Sequence, residues 1–249
     1  MINDLKNKRV IITGASAGIG RALAQALASK QCELFLVARR EDKLKSLQNE
    51  LECKSHIIVG DINDVKTQED ILKQIDGKID ILINNAGLAL GKDSVAHSEI
   101  SEMEQMIATN ITSVFSLTRR VLPLMIQEEC GDILNVCSIA GHNTYKGGAV
   151  YCATKHALHA FTKTLREETC HQNIRVMQIS PGMVDTEFST VRFKGNKDQA
   201  DSVYQGMTPL YADDIARMMV FMLEQPKHVV IDEIITMPTG QGSATTVAR

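Results

Sequence analysis

Short apolar runs alternate along the chain with longer stretches in which apolar residues recur every three or four positions. The short, β-rich runs fall at Arg9–Thr13, Glu33–Ala38, His56–Gly60, Asp80–Asn84, Asp132–Cys137, Ile174–Ile179 and Val229–Met237. Helical patterns fill the gaps at Ile19–Lys30, Asp42–Leu51, Val65–Ile75, Glu102–Glu128, Val150–Cys170 and Asp213–Leu223. The runs are continuously apolar, as in RVIIT and DILIN, and strands of that kind are buried on both faces. Strands that take turns with helices build a parallel sheet with right-handed crossovers. The expected fold is α/β and doubly wound: seven parallel strands, helices on both faces, one domain over residues 1–249. No repeat, low-complexity segment or linker interrupts the pattern. It is weakest from Thr186 to Thr208, a stretch that fits either a lid or an irregular surface loop. The polar tail from Gly240 to Arg249 is expected to dock late or to fray.

Composition narrows the classes. Hydrophobic residues make up 44% of 249, enough for a sizeable core. The net charge of -3 gives no basic excess for nucleic acid, and no polybasic cluster suggests a membrane surface. Met1 to Arg9 lacks the apolar core of a signal peptide, and no apolar run approaches the roughly 18 residues of a spanning helix. A cytoplasmic protein without a membrane partner is expected. The six cysteines form neither a CxxC pair nor a zinc-like spacing, so they read as small buried hydrophobes in a reducing compartment, and no metal is expected.

The first strand runs directly into Thr13-Gly14-Ala15-Ser16-Ala17-Gly18-Ile19-Gly20 and then a helix. This is the logic of a Rossmann-type dinucleotide turn: Gly14 for the tight turn, Gly18 for backbone approach to phosphate, Gly20 for close helix–strand packing. Ser16, Ala17 and Ile19 share that turn, whose helix N-terminus offers free N–H groups to a pyrophosphate. The second strand ends Val37-Ala38-Arg39-Arg40. An acid there would bind a ribose 2′-hydroxyl; two guanidiniums instead suit a 2′-phosphate, which points to NADP. Asp61 and Ile62 follow the third strand and suit an adenine ring. Asn84-Asn85-Ala86-Gly87 closes the fourth, where ligands gather in parallel sheets.

Ser138 closes the fifth strand, and Tyr151 and Lys155 follow as Tyr-x-x-x-Lys at the start of a long helix. Residues four apart share a helix face, which sets a phenol beside an ammonium. Hydride transfer at a carbinol carbon needs a proton acceptor at the oxygen, and free tyrosine is a poor base at neutral pH. A cation about 4 Å away supplies roughly 4 kcal/mol at an effective dielectric near 20, enough to bring the phenolate into use near pH 7. Ser138 can hold the substrate oxygen. Asn110, mid-helix in Thr109-Asn110-Ile111, is read as holding a water that leads protons to Lys155.

The order of glycine turn, NNAG, Asn, Ser and YxxxK resembles the short-chain dehydrogenase/reductase family over nearly the whole chain. The resemblance implies strand order 3-2-1-4-5-6-7 and a homo-oligomer, usually a tetramer. It implies Tyr151 as acid/base, Lys155 on the nicotinamide ribose, and Ser138 and Asn110 completing a tetrad. Pro181-Gly182-Met183-Val184 and Thr186 match the family segment that contacts the nicotinamide end. A narrower similarity rests on Gly87-Leu88-Ala89-Leu90-Gly91, on Thr186–Asn196, on Thr208-Pro209-Leu210 and on Met237-Pro238-Thr239 with Gln241. These segments are similar to the NADP-dependent 3-hydroxy acid (serine or L-allo-threonine) dehydrogenase group, which implies oxidation at the 3-carbon of acids such as L-serine, L-allo-threonine or 3-hydroxypropionate. Ser180 departs from the Asn or Ala of many members, with little effect expected. Two other readings stay open: another carbonyl reductase of this fold, acting for example on 3-oxoacyl thioesters, and a non-catalytic NADP-binding sensor. A 3-hydroxy acid needs a cation for its carboxylate. Arg192, after the nicotinamide segment, is the leading candidate, with Lys194 and Lys146 as rivals. His142 is read as a polar surface residue. Oligomer contacts are expected on the two long helices, through Met103, Met106, Phe115, Leu158 and Phe161.

Overall fold

The structure is a computed structural model that describes residues 2–249; Met1 lies outside the described residues. Strands β1 (Arg9–Thr13), β2 (Glu33–Ala38), β3 (Ser55–Val59), β4 (Ile81–Asn84), β5 (Gly131–Val136), β6 (Ile174–Pro181) and, after two short strands, β9 (Glu233–Thr236) form one sheet. Its order is β3-β2-β1-β4-β5-β6-β9, and every pairing is parallel. The short strands β7 (Val184–Asp185) and β8 (Leu210–Tyr211) pair separately. Helices α1 (Gly18–Ala28) and α9 (Ala212–Leu223) cover one face; α3 (Val65–Ile75), α5 (Ser113–Gln127) and α6 (Ala149–Thr169) cover the other. Strand β1 shows why the runs are continuously apolar. Val10 and Ile12 pack with Leu23, Leu27 and Met219 on one face, while Ile11 between them packs with Ile71, Leu117 and Val121 on the other. The doubly wound sheet thus stands as expected, in one domain.

Three local expectations change. The pattern read as one helix over Glu102–Glu128 is α4 (Ile100–Ile107), a π-helical turn at Ala108–Thr112, and α5. The Thr186–Thr208 stretch is not wholly irregular: it contains α7 (Glu187–Arg192) and α8 (Lys197–Ser202), capped by the Thr186 hydroxyl and the Asn196 side-chain Oδ1, which accept from Phe188 N and Gln199 N. The tail is docked rather than frayed. Gln241 bridges to Val247, and the Arg249 guanidinium donates to the carbonyls of Ser202, Val203 and Gln205. Helix α2 (Glu41–Glu50) follows β2 with Glu41 and Asp42 in its first turn, where the helix dipole favours acids. Among the described residues no helix is long and apolar enough to cross a membrane.

Of the residues expected in oligomer contacts, Met106 and Leu158 are core. Phe115 remains 38% exposed, stacked on Phe161 at 4.2 Å between ring centroids, and Ile107, at the end of α4, is 45% exposed.

Candidate active site

Strand order reverses between β1 and β4, and a cavity of about 510 Å³ opens at the carboxyl ends of the strands there. Most of the chemistry-bearing residues meet in it. Gly14, Ser16, Ala17, Gly18 and Ile19 line one end with Arg39, Arg40, Asp61, Ile62, Ala86 and Gly87; Ser138, Tyr151, Lys155, Pro181, Gly182, Val184, Thr186 and Arg192 line the other.

The cofactor end is shaped to take an anion. Gly14 has φ +68, a conformation that L side chains rarely adopt. Gly20 does not line the cavity; it is buried, and a Cβ there would meet Asn85 Nδ2 and the Gly14 carbonyl at 2.5 Å. Helix α1 begins with Ala17 as N-cap, with no capping side chain and no acid in its first turn, so its leading N–H groups stay available to a phosphate. Thr13 and Asn85, which spacing alone does not mark, hold the turn. The Thr13 hydroxyl donates to Ile83 O and accepts from Asn85 N and Ala86 N, while Asn85 Nδ2 donates to Thr13 O at 2.8 Å. Asn84, expected to touch the cofactor, points away from the cavity. Its Nδ2 donates to Thr118 Oγ1 and Asn135 Oδ1 inside the sheet, because adjacent strand residues face opposite sides.

Arg40 donates from Nε and Nη2 to Ser16 Oγ and pairs through Nη1 with Glu187 at 2.7 Å, at the start of α7. Lys43 joins the same carboxylate at 2.5 Å. Lys43 first, then Arg40, hold Glu187 below the usual carboxylate range. Arg39 is more exposed and lies 3.6 Å from Asp61. Three cations therefore gather at the end of β2, one more than the sequence pattern suggested.

At the chemical end, Ser138 lies just past β5 and accepts from Ala140 N at 3.1 Å, capping the 3-10 turn Ile139–Gly141. Tyr151 and Lys155 sit one turn apart on α6, 8% and 5% exposed. Their placement differs from a simple phenol–ammonium pair. Lys155 Nζ donates to Val136 O at 2.9 Å and stands 5.9 Å from the Tyr151 ring centroid, because the β5 carbonyl draws the ammonium away. Burial drives the Tyr151 phenol above its ordinary range, against a hydrogen bond to Ser138 and the positive charge of Arg192. Burial also lowers Lys155. Asn110 lies off the cavity, 1% exposed, in the π-turn. Its Oδ1 accepts from Leu88 N, and its Nδ2 donates to Leu88 O and Thr154 Oγ1. The side chain clamps the loop after β4 to α6, and its Oδ1, with one bond accepted, keeps a second lone pair. A π-turn at such a position is a common mark of a functional site.

Above Tyr151 sits the α7 segment, with the Phe188 ring 5.6 Å from the phenol ring. Arg192 is half-buried. Its Nε donates to Gly91 O, its Nη1 donates to Tyr145 Oη at 3.0 Å, and its guanidinium lies 5.3 Å over the Tyr145 ring. Lys194 is paired with Glu102 at 2.5 Å, and exposed Lys146 does not line the cavity. His142 does not line it either; it is half-buried in a separate polar cluster with Ser180 and Glu233.

The short chain dehydrogenase family profile matches residues 8–197. An NADP-dependent 3-hydroxy acid dehydrogenase of Schizosaccharomyces pombe is 44% identical over 100% of this chain and 99% of its own length. A serine 3-dehydrogenase of Agrobacterium fabrum is 38% identical over 94% of this chain and 95% of its own. Among solved structures, a closed form of serine dehydrogenase complexed with NADP+ superposes with a TM-score of 0.92 at 35% identity, covering 97% of this chain and 99% of that one. With the family profile matched from the first strand to the start of α8 and the fold matched nearly end to end, the chain belongs to the short-chain dehydrogenase family.

Proposed function

We propose that the protein is an NADP-dependent 3-hydroxy acid dehydrogenase, acting on acids such as L-serine, L-allo-threonine or 3-hydroxypropionate. The observation that carries the reading is Arg192, a guanidinium fixed by Gly91 and Tyr145 that lines the same cavity as Tyr151. A carboxylate two bonds from the reacting carbon would find a planar, bidentate partner there. The names of the relatives support the same substrate class. Initial rates for 3-hydroxy acids against uncharged secondary alcohols test it; no preference for the acids would reject it.

NADP supplies or takes the hydride when bound. The α1 N-terminus and the turn Gly14–Gly20 would hold its pyrophosphate, and Arg39 and Arg40, which line the cavity, its 2′-phosphate. Ser138 would hold the carbinol oxygen by hydrogen bond, Tyr151 would take or give the proton at that oxygen, and Lys155 would bind the nicotinamide ribose. Asn110 acts as a positioning residue through Leu88 and Thr154.

Two expected results follow from these roles. Losing one charge-assisted phosphate contact costs roughly 1.5–3 kcal/mol, so Arg39→Ala should raise the KM for NADP about tenfold or more. Kinetics with NAD should change little, and an equal loss with both would remove the 2′-phosphate assignment. With its phenol raised by burial, Tyr151 is a ready proton donor but must lose its proton to act as a base. Alcohol oxidation should therefore speed up as pH rises from about 7 towards the ordinary tyrosine range near 10, while carbonyl reduction does not. Rate profiles in both directions check this; an oxidation rate that falls over that interval would contradict it.

We also propose that the exposed Phe115–Ile107 surface joins copies of the chain, as a tetramer in the cytoplasm. Light scattering at micromolar concentration should give a multimer mass; a monomer would refute it.

A further inference from the structure

Away from the cavity, three residues far apart in the chain converge. His142 follows the 3-10 turn after β5, His159 lies on α6, and Glu233 opens β9. One ligand atom from each lies within 4.8 Å of the others. His142 Nε2 is 2.6 Å from Glu233 Oε1, and His159 Nδ1 is 3.8 Å from Glu233 Oε2. The two imidazoles meet edge to face, 4.5 Å between centroids. Each of the three side chains keeps 15–20% of its surface, enough for entry from solvent.

The hydrogen bonding within the cluster is lopsided. Glu233 Oε1 receives Ser180 Oγ at 2.6 Å and Gln178 Nε2 at 2.7 Å as well as His142. Gln178 is 1% exposed, and its Oε1 is buried with no partner. A buried amide oxygen without a donor calls for an explanation. His159 Nδ1 accepts from the same Gln178 Nε2 at 2.9 Å, so it already presents its lone pair to the cluster. A half-turn of the Gln178 amide would bring the orphan oxygen to the place its nitrogen holds.

We propose that His142, His159 and Glu233 form a binding site for a divalent transition ion of the zinc type, with Gln178 Oε1 or a water as fourth ligand. Two nitrogens and a carboxylate are the donor set such ions take. Ligand atoms each about 2.1 Å from zinc at tetrahedral angles stand about 3.4 Å apart, a spacing that the 2.6 and 3.8 Å separations of the two histidines from Glu233 bracket, so small side-chain shifts would seat the ion. The ion needs the lone pair of His142 Nε2, which the Nδ1–H tautomer provides. The site would tie the turn after β5, helix α6, β6 and β9 together, through residues that do not line the cavity. It is independent of the reading of substrate.

The test is Co2+ titration of the full-length protein, followed by visible absorption. One Co2+ per chain should bind and be displaced by Zn2+. His159→Gln and Glu233→Gln should each weaken uptake about tenfold or more while NADP binding and metal-free turnover stay as in the parent. Zinc at about a hundredfold excess over its Kd should also raise the parent's Tm by about 5–10 °C, a result that needs no variant to fold. No uptake by the parent, equal uptake by parent and variants, or a thiolate-to-cobalt band placing the ion on cysteine would each overturn the proposal.

Discussion

Tyr151→Phe should abolish turnover and leave NADP binding intact. The substitution removes one hydroxyl and keeps the ring that packs with Leu88, Met106 and Phe188, so the cavity wall survives. What is lost is the proton path at the substrate oxygen. General acid–base catalysis contributes about 10²–10⁴-fold, and the loss should be at least about a hundredfold. The nearby hydroxyls are poor substitutes: Ser138 is capping its own turn, and the Tyr145 phenol is raised by burial against the opposing charge of Arg192. Steady-state rates and NADP fluorescence titration separate the two effects. Activity within about tenfold of the parent would show that another group carries the proton.

Arg192→Ala should divide substrates. For L-serine or 3-hydroxypropionate, kcat/KM should fall about ten- to a hundredfold, the equivalent of losing an interaction of about 1.5–3 kcal/mol. For an uncharged secondary alcohol or its ketone it should hold. The contrast is needed because Arg192 also ties α7 to Gly91 and stacks on Tyr145. If it served only to fasten that segment over the site, both substrates would suffer alike. Arg192→Lys keeps the charge without the fork and should fall between parent and alanine for the acid. An equal fall for both substrates, or none, would reject the clamp. Lys194 is not a ready replacement, since Glu102 neutralises it.

The strands were legible because buried parallel strands need apolar residues on both faces, and few other elements show such short, sharply bounded runs. Thus β1 and β2 fall where the pattern puts them, as does α3. The break between α4 and α5 was not legible. Apolar spacing continues through the π-turn at Ala108–Thr112, and Pro123 sits inside α5, so nothing in the periodicity records the bulge. Which of Asn84 and Asn85 faces the cavity was equally hidden, since that depends on where the strand ends. The Thr13-Gly14 turn selects Asn85, and the sheet interior takes Asn84.

Motif order brought Ser138, Tyr151 and Lys155 together but could not say how they touch. Spacing set a phenol and an ammonium on one face; the carbonyl of Val136, on another element, decided where the ammonium went. Lys43 and Glu187 escaped notice because an ion pair across 144 residues leaves no local trace. The same holds for His142, His159 and Glu233, which share no spacing that a metal motif would show. Ser180, treated as a neutral departure, is fully buried and holds Glu233 in that cluster.

Substrate class is decided by one comparison of rates. The same preparation is assayed at the nicotinamide absorbance for oxidation of 3-hydroxypropionate and L-serine with NADP, and for reduction of a 3-oxoacyl thioester with NADPH. For a 3-hydroxy acid dehydrogenase, kcat/KM for the hydroxy acids should exceed that for the thioester and drop when NAD replaces NADP. Faster thioester reduction, or no oxidation of any 3-hydroxy acid, would contradict it.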